Sequence, residues 1–274
     1  MVVRGAAAGA GLLLRAPEPS ERAYQAFDPS DWAWEFLRRN GGYQADWRAA
    51  TPRTLPCAEL RDGTMLLRLR RRYLRAERWG LYAFADPLRP ARKAPVFWLP
   101  AISRRNVRAR CDMVSERANA MRLARFRAER SAVIGVDGVP VVTMKGRGFN
   151  VRLVASGWHV LTRPAAVTFE LDGFDDLATR IECLRMLQRL TEPGAPASAG
   201  RSPWNANERM FHALVALDGS LRGRSYRDIA TTVFGQKRVT EDWSAASRFL
   251  KDRTRRLVTK GHELMKGGYR DLLR

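Results

Sequence analysis

The sequence predicts an α+β protein that ends in a tri-helical, helix-turn-helix-like domain. Three observations support this prediction. Residues 132–171 contain short β-rich runs separated by turn residues, residues 175–190 form an amphipathic pattern, and residues 204–274 contain three helical patterns. We therefore expect an N-terminal helical segment, a small antiparallel sheet covered by a helix, and the C-terminal helices.

Residues 1–20 are predicted to be a disordered leader. Their apolar run is short and Arg15 interrupts it, which favours a disordered tail or a misplaced start codon over a signal peptide. Residues 21–130 are predicted to be mostly helical and basic. The first helix is expected over Asp31–Asn40, with Ser30 as its cap and glycines at its end.

Two further helical stretches are expected within residues 21–130. Leu60–Leu81 mixes apolar and basic residues in a way that a single helix would accommodate, and Arg104–Arg130 is helical in composition. Between them, prolines mark a loop, and Val96–Leu99 is predicted to be a short strand.

Residues 131–190 are predicted to form the sheet and its covering helix. Two strands meet at Asp137-Gly138, a dipeptide typical of tight hairpin turns. A second pair is expected from Phe149–Ala155 and Trp158–Leu161, and Ala166–Leu171 gives a fifth strand. The helix Asp175–Leu190 places leucine and isoleucine on one side, so it should pack on the sheet.

Residues 191–203 are rich in proline, glycine and alanine and are predicted to be a linker to the domain 204–274. The three helices of that domain are expected over Ala206–Asp218, Tyr226–Phe234 and Ala245–Lys266. Gly235 ends the second helix, and the connector Gln236–Trp243 is longer than an ordinary helix-turn-helix turn.

The third helix of this domain has an apolar side and a cationic side. We expect Ala246, Phe249, Leu250, Leu257 and Leu264 to form the buried side. A short helix packed across a longer basic one is the arrangement that places the second helix in a DNA major groove.

The charge of the chain points to a polyanionic partner. Its formal net charge is +21 and its isoelectric point is near 11.2. Nucleic acid and anionic membrane are the two abundant partners of that kind. The sequence has no apolar run of membrane-spanning length, so double-stranded DNA is the predicted partner and no membrane is expected.

The predicted DNA-binding residues lie on the last helix and on the connector before it. Base edges would be contacted from the long helix, and phosphates from the connector and one further arginine. In that order, the residues are Ser244, Ser247, Arg248, Lys251 and Arg255, followed by Lys237, Arg238 and Arg256.

No enzymatic or metal chemistry is predicted. The three cysteines and three histidines are scattered without ligand spacing, so we expect no metal and no cofactor. Lys145-Gly146-Arg147-Gly148 has the glycines of a phosphate loop but lies between two strands, which favours a hairpin connection. Tyr269 could serve as a recombinase nucleophile, but no arginine and histidine set accompanies it.

Two stretches resemble the FseA-type excision activators of integrative and conjugative elements. The first runs from Asp28 to Asn40 (DPSDWAWEFLRRN), with Tyr43 and Trp47 following. The second comprises YRDIA at 226–230, Phe234-Gly235, Trp243, RRL at 255–257 and LMKGGYRDLL at 264–273. The C-terminal region is also similar to the QseM-type antiactivator of that system.

This resemblance implies a transcriptional activator that controls excision and transfer genes of a mobile element, and the scattered cysteines favour a reducing, cytoplasmic location. It further implies a small antiactivator and RNA polymerase as partners. Two alternatives stay open from the sequence. One is a protein-interaction module of the antiactivator kind, against which the basic charge argues, and the other is an RNA-binding protein without DNA specificity.

Overall fold

The computed structural model describes residues 24–114, 120–146, 148–192, 204–243 and 249–274, with the backbone alone at 204 and 205. Within these ranges the chain forms eight α-helices and a seven-stranded sheet, which confirms the α+β class. The predicted leader and most of the predicted linker lie outside the described residues. The division of the chain at residues 130, 190 and 203 stays a prediction.

Three α-helices belong to the N-terminal region: α1 (Pro29–Leu37), α2 (Gly41–Ala49) and α3 (Leu74–Glu77). Asp28, rather than the expected Ser30, caps α1, because its carboxylate accepts from the backbone amides of Ser30 and Asp31. Trp34 is buried, with 1% of its surface exposed, and its indole donates to the Arg89 carbonyl at 3.0 Å.

Seven strands form one mixed sheet, in the order β1-β2-β4-β5-β6-β3-β7. Their bounds are β1 (Ala58–Glu59), β2 (Met65–Arg68), β3 (Asn106–Met113), β4 (Glu129–Ile134), β5 (Pro140–Gly146), β6 (Phe149–Ser156) and β7 (Ala165–Glu170). The expected hairpin at Asp137-Gly138 is confirmed as the antiparallel pair β4–β5, and β5 pairs with β6 in the same way. Lys145 and Gly146 end β5 and Gly148 precedes β6, so these residues lie at a strand connection, as expected.

The prediction of a small, wholly antiparallel sheet is wrong. β2 pairs with β4 in parallel, and β3 pairs with β6 in parallel. Both parallel pairings bring in strands from the region expected to be helical. Pairings between segments distant in the chain leave no turn signal in the sequence, which is why local patterns did not reveal them.

Leu60–Leu81 is not one helix, and Arg104–Arg130 is not helical. β2 leads into a stretch in which Leu67 and Leu69 are buried while Arg68 and Arg70 are exposed. In β3, Val107, Ala109 and Cys111 are buried while the residues between them face outward. Both stretches have the two-residue period of a strand with one covered face.

Two predicted strands are absent from the described structure. Trp158–Leu161 forms a 3₁₀ turn, because the adjacent Val160 and Leu161 are both buried and a strand would point them to opposite faces. Val96–Leu99 contributes only an isolated bridge between Leu81 and Trp98, consistent with the prolines Pro95 and Pro100 beside it.

The predicted covering helix is confirmed as α4 (Leu177–Thr191), which packs on β3 and β6. Its buried side is Cys183, Leu187 and Leu190. One hydrophobic core fills the space between α4 and the sheet, and a smaller one covers the opposite face of β2, β4 and β5.

Four α-helices complete the chain: α5 (Trp204–Leu221), α6 (Tyr226–Phe234), α7 (Gln236–Asp242) and α8 (Phe249–Lys266). The predicted connector Gln236–Trp243 is thus largely the helix α7. Gly235 joins α6 to α7 with φ of 88°, a backbone conformation that glycine adopts without strain. A 3₁₀ helix, Gly268–Leu272, follows α8.

The N-terminal helices and the C-terminal helices share one hydrophobic core. Trp34, Phe36 and Tyr43 lie in the same buried cluster as Leu214 and Tyr269. The phenol of Tyr269 donates to the Trp79 carbonyl at 3.0 Å. The two ends of the chain are therefore packed into one unit.

A buried ion-pair network joins the same two regions. Arg39 donates to both carboxylate oxygens of Asp218 on α5, at 2.5 and 2.8 Å, and to Glu35 on α1 at 2.7 Å. Burial by itself would lower the pKa of Arg39, but the two carboxylates raise it above its ordinary value. The guanidinium therefore stays charged, and it ties α1 to α5.

Candidate DNA-binding surface

The helices α5, α6 and α7 contact α8 through two small apolar clusters. Ala216 of α5, Ile229 of α6 and Val258 of α8 form the first cluster. Ala230 of α6, Val239 of α7 and Leu250 of α8 form the second. α8 thus packs on all three preceding helices, which fixes its buried side and leaves the opposite side open to solvent.

α6 begins at a capping box formed by Ser225 and Asp228. Ser225 accepts from the Asp228 amide at 3.2 Å, and the Asp228 carboxylate accepts from the Ser225 amide at 3.3 Å. This reciprocal pair satisfies two amides that a helix start leaves without partners. The helix then runs to Gly235, as the sequence predicted.

The buried side of α8 consists of Leu250, Thr254, Val258, Gly261, Leu264 and Met265. Thr254 is fully buried. Its hydroxyl has a hydrogen-bond partner there, because it donates to the Leu250 carbonyl at 2.8 Å, one turn back along the helix. Phe249, expected in the core, is 58% exposed, so that expectation is wrong. Ala246 lies outside the described residues.

Lys251 and Arg255 extend from the opposite side of α8 and are exposed. They are separated by one helical turn, so they lie one above the other on the same face. The ammonium of Lys251 sits 5.7 Å from the Trp243 ring centroid, a cation–π contact that orients the side chain. Within the described part of the chain, neither residue forms an ion pair with a carboxylate.

The expected phosphate-contacting residues occupy two places. Lys237 and Arg238 are exposed on α7. They lie near the N-terminal end of α8, because the next residue, Val239, packs against Leu250 of α8. Arg238 forms a 3.6 Å exposed ion pair with Asp242. Arg256 is also exposed, but on a different side of α8 from Lys251. Ser244, Ser247 and Arg248 lie outside the described residues.

Two cations of α8 were missed by the sequence reasoning. Arg253 lies three residues before Arg256, and Lys260 lies four residues after it. This spacing places all three cations on one side of the helix. The guanidinium of Arg253 lies 5.0 Å from the Phe234 ring centroid. The spacing alone could have revealed this second cationic side.

The described residues contain no cluster of three or more histidine, cysteine, aspartate or glutamate side chains placed to hold a metal ion. None of the helices in the described ranges has the length and apolar composition needed to cross a bilayer.

Two regions of the chain match known family models. Residues 171–274 match the family model described as T6SS, transcription factor, DNA binding domain, of the RovC type. Residues 15–82 match the model described as proteobacterial transcriptional regulator-like domain. No curated protein matches the chain.

Together with the basic face of α8, these matches define the class of protein: a DNA-binding transcriptional regulator. The DNA-binding match takes in all four C-terminal helices, and the regulator-like match takes in α1, α2 and α3. The core shared by α1, α5 and α8 therefore joins the two matched regions.

Proposed function

We propose that this regulator activates the excision and transfer genes of a mobile genetic element by binding operator DNA through α8. The observation that carries the proposal is the exposed cationic face of Lys251 and Arg255, within a region that matches a transcription-factor DNA-binding domain. The resemblance to FseA-type activators supports the choice of target genes. The protein would act in the cytoplasm by binding alone, without catalysis, metal or cofactor.

In this proposal the N-terminal half of α8 faces the major groove. Ser244, Ser247, Arg248, Lys251 and Arg255 would contact base edges. Lys237 and Arg238 on α7 would contact the phosphate backbone beside it, and Arg256 would contact phosphate from the flank of α8. RNA polymerase and a small antiactivator would be the protein partners, as the resemblance implies.

Lys251→Ala and Arg255→Ala should each weaken operator binding without lowering the melting temperature. Loss of one base contact costs about 1–3 kcal/mol, so we expect roughly tenfold weaker binding or more. Each side chain is exposed on α8, so its removal leaves the apolar clusters intact. Fluorescence anisotropy with a labelled fragment from upstream of an excisionase gene measures the affinity.

Arg185→Ala is the matched control, because it removes one exposed arginine from α4, the helix that packs on the sheet. It should change the operator affinity by less than about twofold, through net charge alone. If Arg185→Ala weakened binding as much as Arg255→Ala, α8 would not be the DNA-reading element.

Competition between duplex DNA and structured RNA at several salt concentrations separates DNA binding from RNA binding. The operator duplex should compete best, and the salt dependence should fall by about one unit of slope for each lost phosphate contact. Stronger competition by the RNA would overturn the proposal.

A further inference from the structure

A second cationic feature of α8 lies away from Lys251 and Arg255, at a cavity of about 570 Å³. Its walls come from α1, α5, α8 and the terminal 3₁₀ helix. The cavity therefore opens between the two regions that match regulator families. Its volume lies within the range of small-molecule sites in proteins.

The cavity combines cations with an apolar floor. Arg209 of α5 lines it together with Arg253, Arg256 and Lys260 of α8, and the apolar contribution comes from Trp32, Met210, Ala213, Leu257 and Leu272. No carboxylate of the described residues lines it. A cavity with these walls fits a ligand that carries a negative charge on an apolar body.

The α1 side of the cavity is held in place by the packing already described. Trp32 is 2% exposed, and its indole donates to the Asn207 side-chain oxygen at 2.9 Å. The Asn207 amide in turn donates to the Phe27 carbonyl at 3.3 Å. The apolar wall is thus formed without a ligand, which reduces the ordering that binding would require.

Two of the cations that line the cavity, Arg256 and Lys260, are available to bind an anion. Arg256 is exposed and has no ion pair in the described part of the chain, and Lys260 has only an exposed contact with Glu263 at 3.7 Å. Such surface pairs are weak and give way to a better partner. A guanidinium beside an apolar wall binds a carboxylate or sulfonate more strongly than it would in open solvent.

We propose that this cavity is an effector site for a small amphipathic anion, such as a medium-chain or aromatic carboxylate. Arg256 and Lys260 would bind the charged group, and the partly exposed side chains of Met210, Leu257 and Leu272 would contact the apolar body. A duplex has phosphates but no apolar body to fill this floor, so the chemistry favours a small molecule.

An effect on DNA binding follows from the position of the site, and this part rests on the proposed function. Arg256 is itself a proposed phosphate contact and follows Arg255, so an anion held there occupies one DNA contact and lowers the positive potential beside the DNA-facing side of α8. The anion should therefore weaken operator binding, and the operator should weaken anion binding by the same factor.

The probe for the site is 1-anilinonaphthalene-8-sulfonate, an aromatic anion whose fluorescence rises in apolar surroundings. The full chain should bind it saturably with one site per chain. Arg256→Gln and Lys260→Gln should each weaken binding by about tenfold, as expected for a lost charged hydrogen bond. Arg255→Gln is the matched control, since it removes the adjacent arginine, which does not line the cavity, and should leave binding within about twofold.

Three competitors test the chemistry of the site. Decanoate should displace the probe, whereas 1-decanol lacks the charge and tripolyphosphate lacks the apolar body, so neither should displace it at the same concentration. Displacement by tripolyphosphate would show that the site is only a basic surface, and displacement by decanol would show that it is only an apolar cleft. Either result would overturn the proposal. Equal losses in Arg255→Gln and Arg256→Gln would also overturn the proposal.

The effect on DNA is measured separately by anisotropy of the labelled operator. Decanoate should weaken operator binding by the wild type and should lose this effect in Lys260→Gln, a residue outside the proposed DNA contacts. Unchanged operator affinity while decanoate displaces the probe would overturn the regulatory role. If the proposed function failed instead, Arg255→Ala would retain operator affinity, and probe binding would be unaffected.

Discussion

Asp31 is a fully buried carboxylate at the start of α1. Its side chain accepts from the Asp28 amide at 3.1 Å and pairs with Lys145 of β5. Burial, and after it the nearby Asp28 carboxylate, raise the pKa of Asp31 to about 6, although Lys145 offsets part of the rise. Near neutral pH the folded protein therefore holds a charge that burial disfavours.

This shift predicts the sign of a pH effect on stability. A carboxyl whose pKa is higher in the folded protein than in the unfolded chain takes up a proton on folding. Its stabilising contribution is complete below about pH 4 and is lost as the pH rises through about 6. Asp31→Asn removes this titration, so the stability of the wild type relative to the variant should fall across that interval.

Thermal unfolding of both proteins between about pH 4 and pH 7 measures this difference. Asp271→Asn is a suitable control, because its side chain is 71% exposed beside Arg274. Parallel stability curves for the wild type and Asp31→Asn would contradict the prediction.

The crossing of α8 over α5 depends on Gly261. A Cβ atom at this position would lie 2.7 Å from the Ala213 carbonyl oxygen and 2.8 Å from the Leu217 Cβ. The first of these atoms belongs to the backbone of α5, so it cannot rotate away. The absence of a side chain at Gly261 is what allows the two helices to approach so closely.

Gly261→Ala should therefore destabilise the protein. In a free helix alanine is favoured over glycine by about 1 kcal/mol, but overpacking costs about 1–3 kcal/mol, so the clash should prevail. The measurement is thermal unfolding, with Gly41→Ala as the matched control. A Cβ at Gly41, in the first turn of α2, would meet nothing within 4 Å. An equal melting temperature for the two variants would refute this account of the crossing.

Helices and hairpins marked by local sequence patterns were predictable, and strands defined by pairing with distant segments were not. The β4–β5 hairpin follows from Asp137-Gly138, and α6 follows from its apolar period and the final Gly235. β2 and β3 were taken for helix because the mixed apolar and basic composition of each stretch was given more weight than its two-residue period. Their parallel partners, β4 and β6, are remote in sequence.

The candidate surfaces divide in the same way. The helical period of α8 was sufficient to select Lys251 and Arg255, and both are exposed on one side. The cavity was not predictable, because Trp32 and Arg253 are brought together only by tertiary packing. A helical period identifies which residues share a face, but it does not say what that face meets.

Across the whole molecule, the strongest link between the two matched regions is the buried pair of Arg39 and Asp218. Their side chains are 5% and 15% exposed, and Glu35 completes the network from α1. Removing one member of such a pair leaves the other charge buried without its partner.

Asp218→Ala should therefore destabilise the chain by about 3 kcal/mol or more. Asp242→Ala is the control, because it breaks the exposed pair with Arg238 and should cost under about 1 kcal/mol. Urea unfolding followed by tryptophan fluorescence and by circular dichroism provides both values. If the free energy of unfolding fell no more for Asp218→Ala than for Asp242→Ala, the ion-pair network would contribute little to holding the two matched regions together.

The shared core of α1, α5 and α8 also limits how this regulator can be recombined. Trp34, Tyr43 and Leu214 belong to the same apolar cluster, so a chimera that grafts residues 204–274 onto a foreign effector domain would expose the apolar surface that α1 now covers. A workable graft has to carry α1 and α2 with it. The C-terminal helices of this protein are thus not a module that can be exchanged by itself.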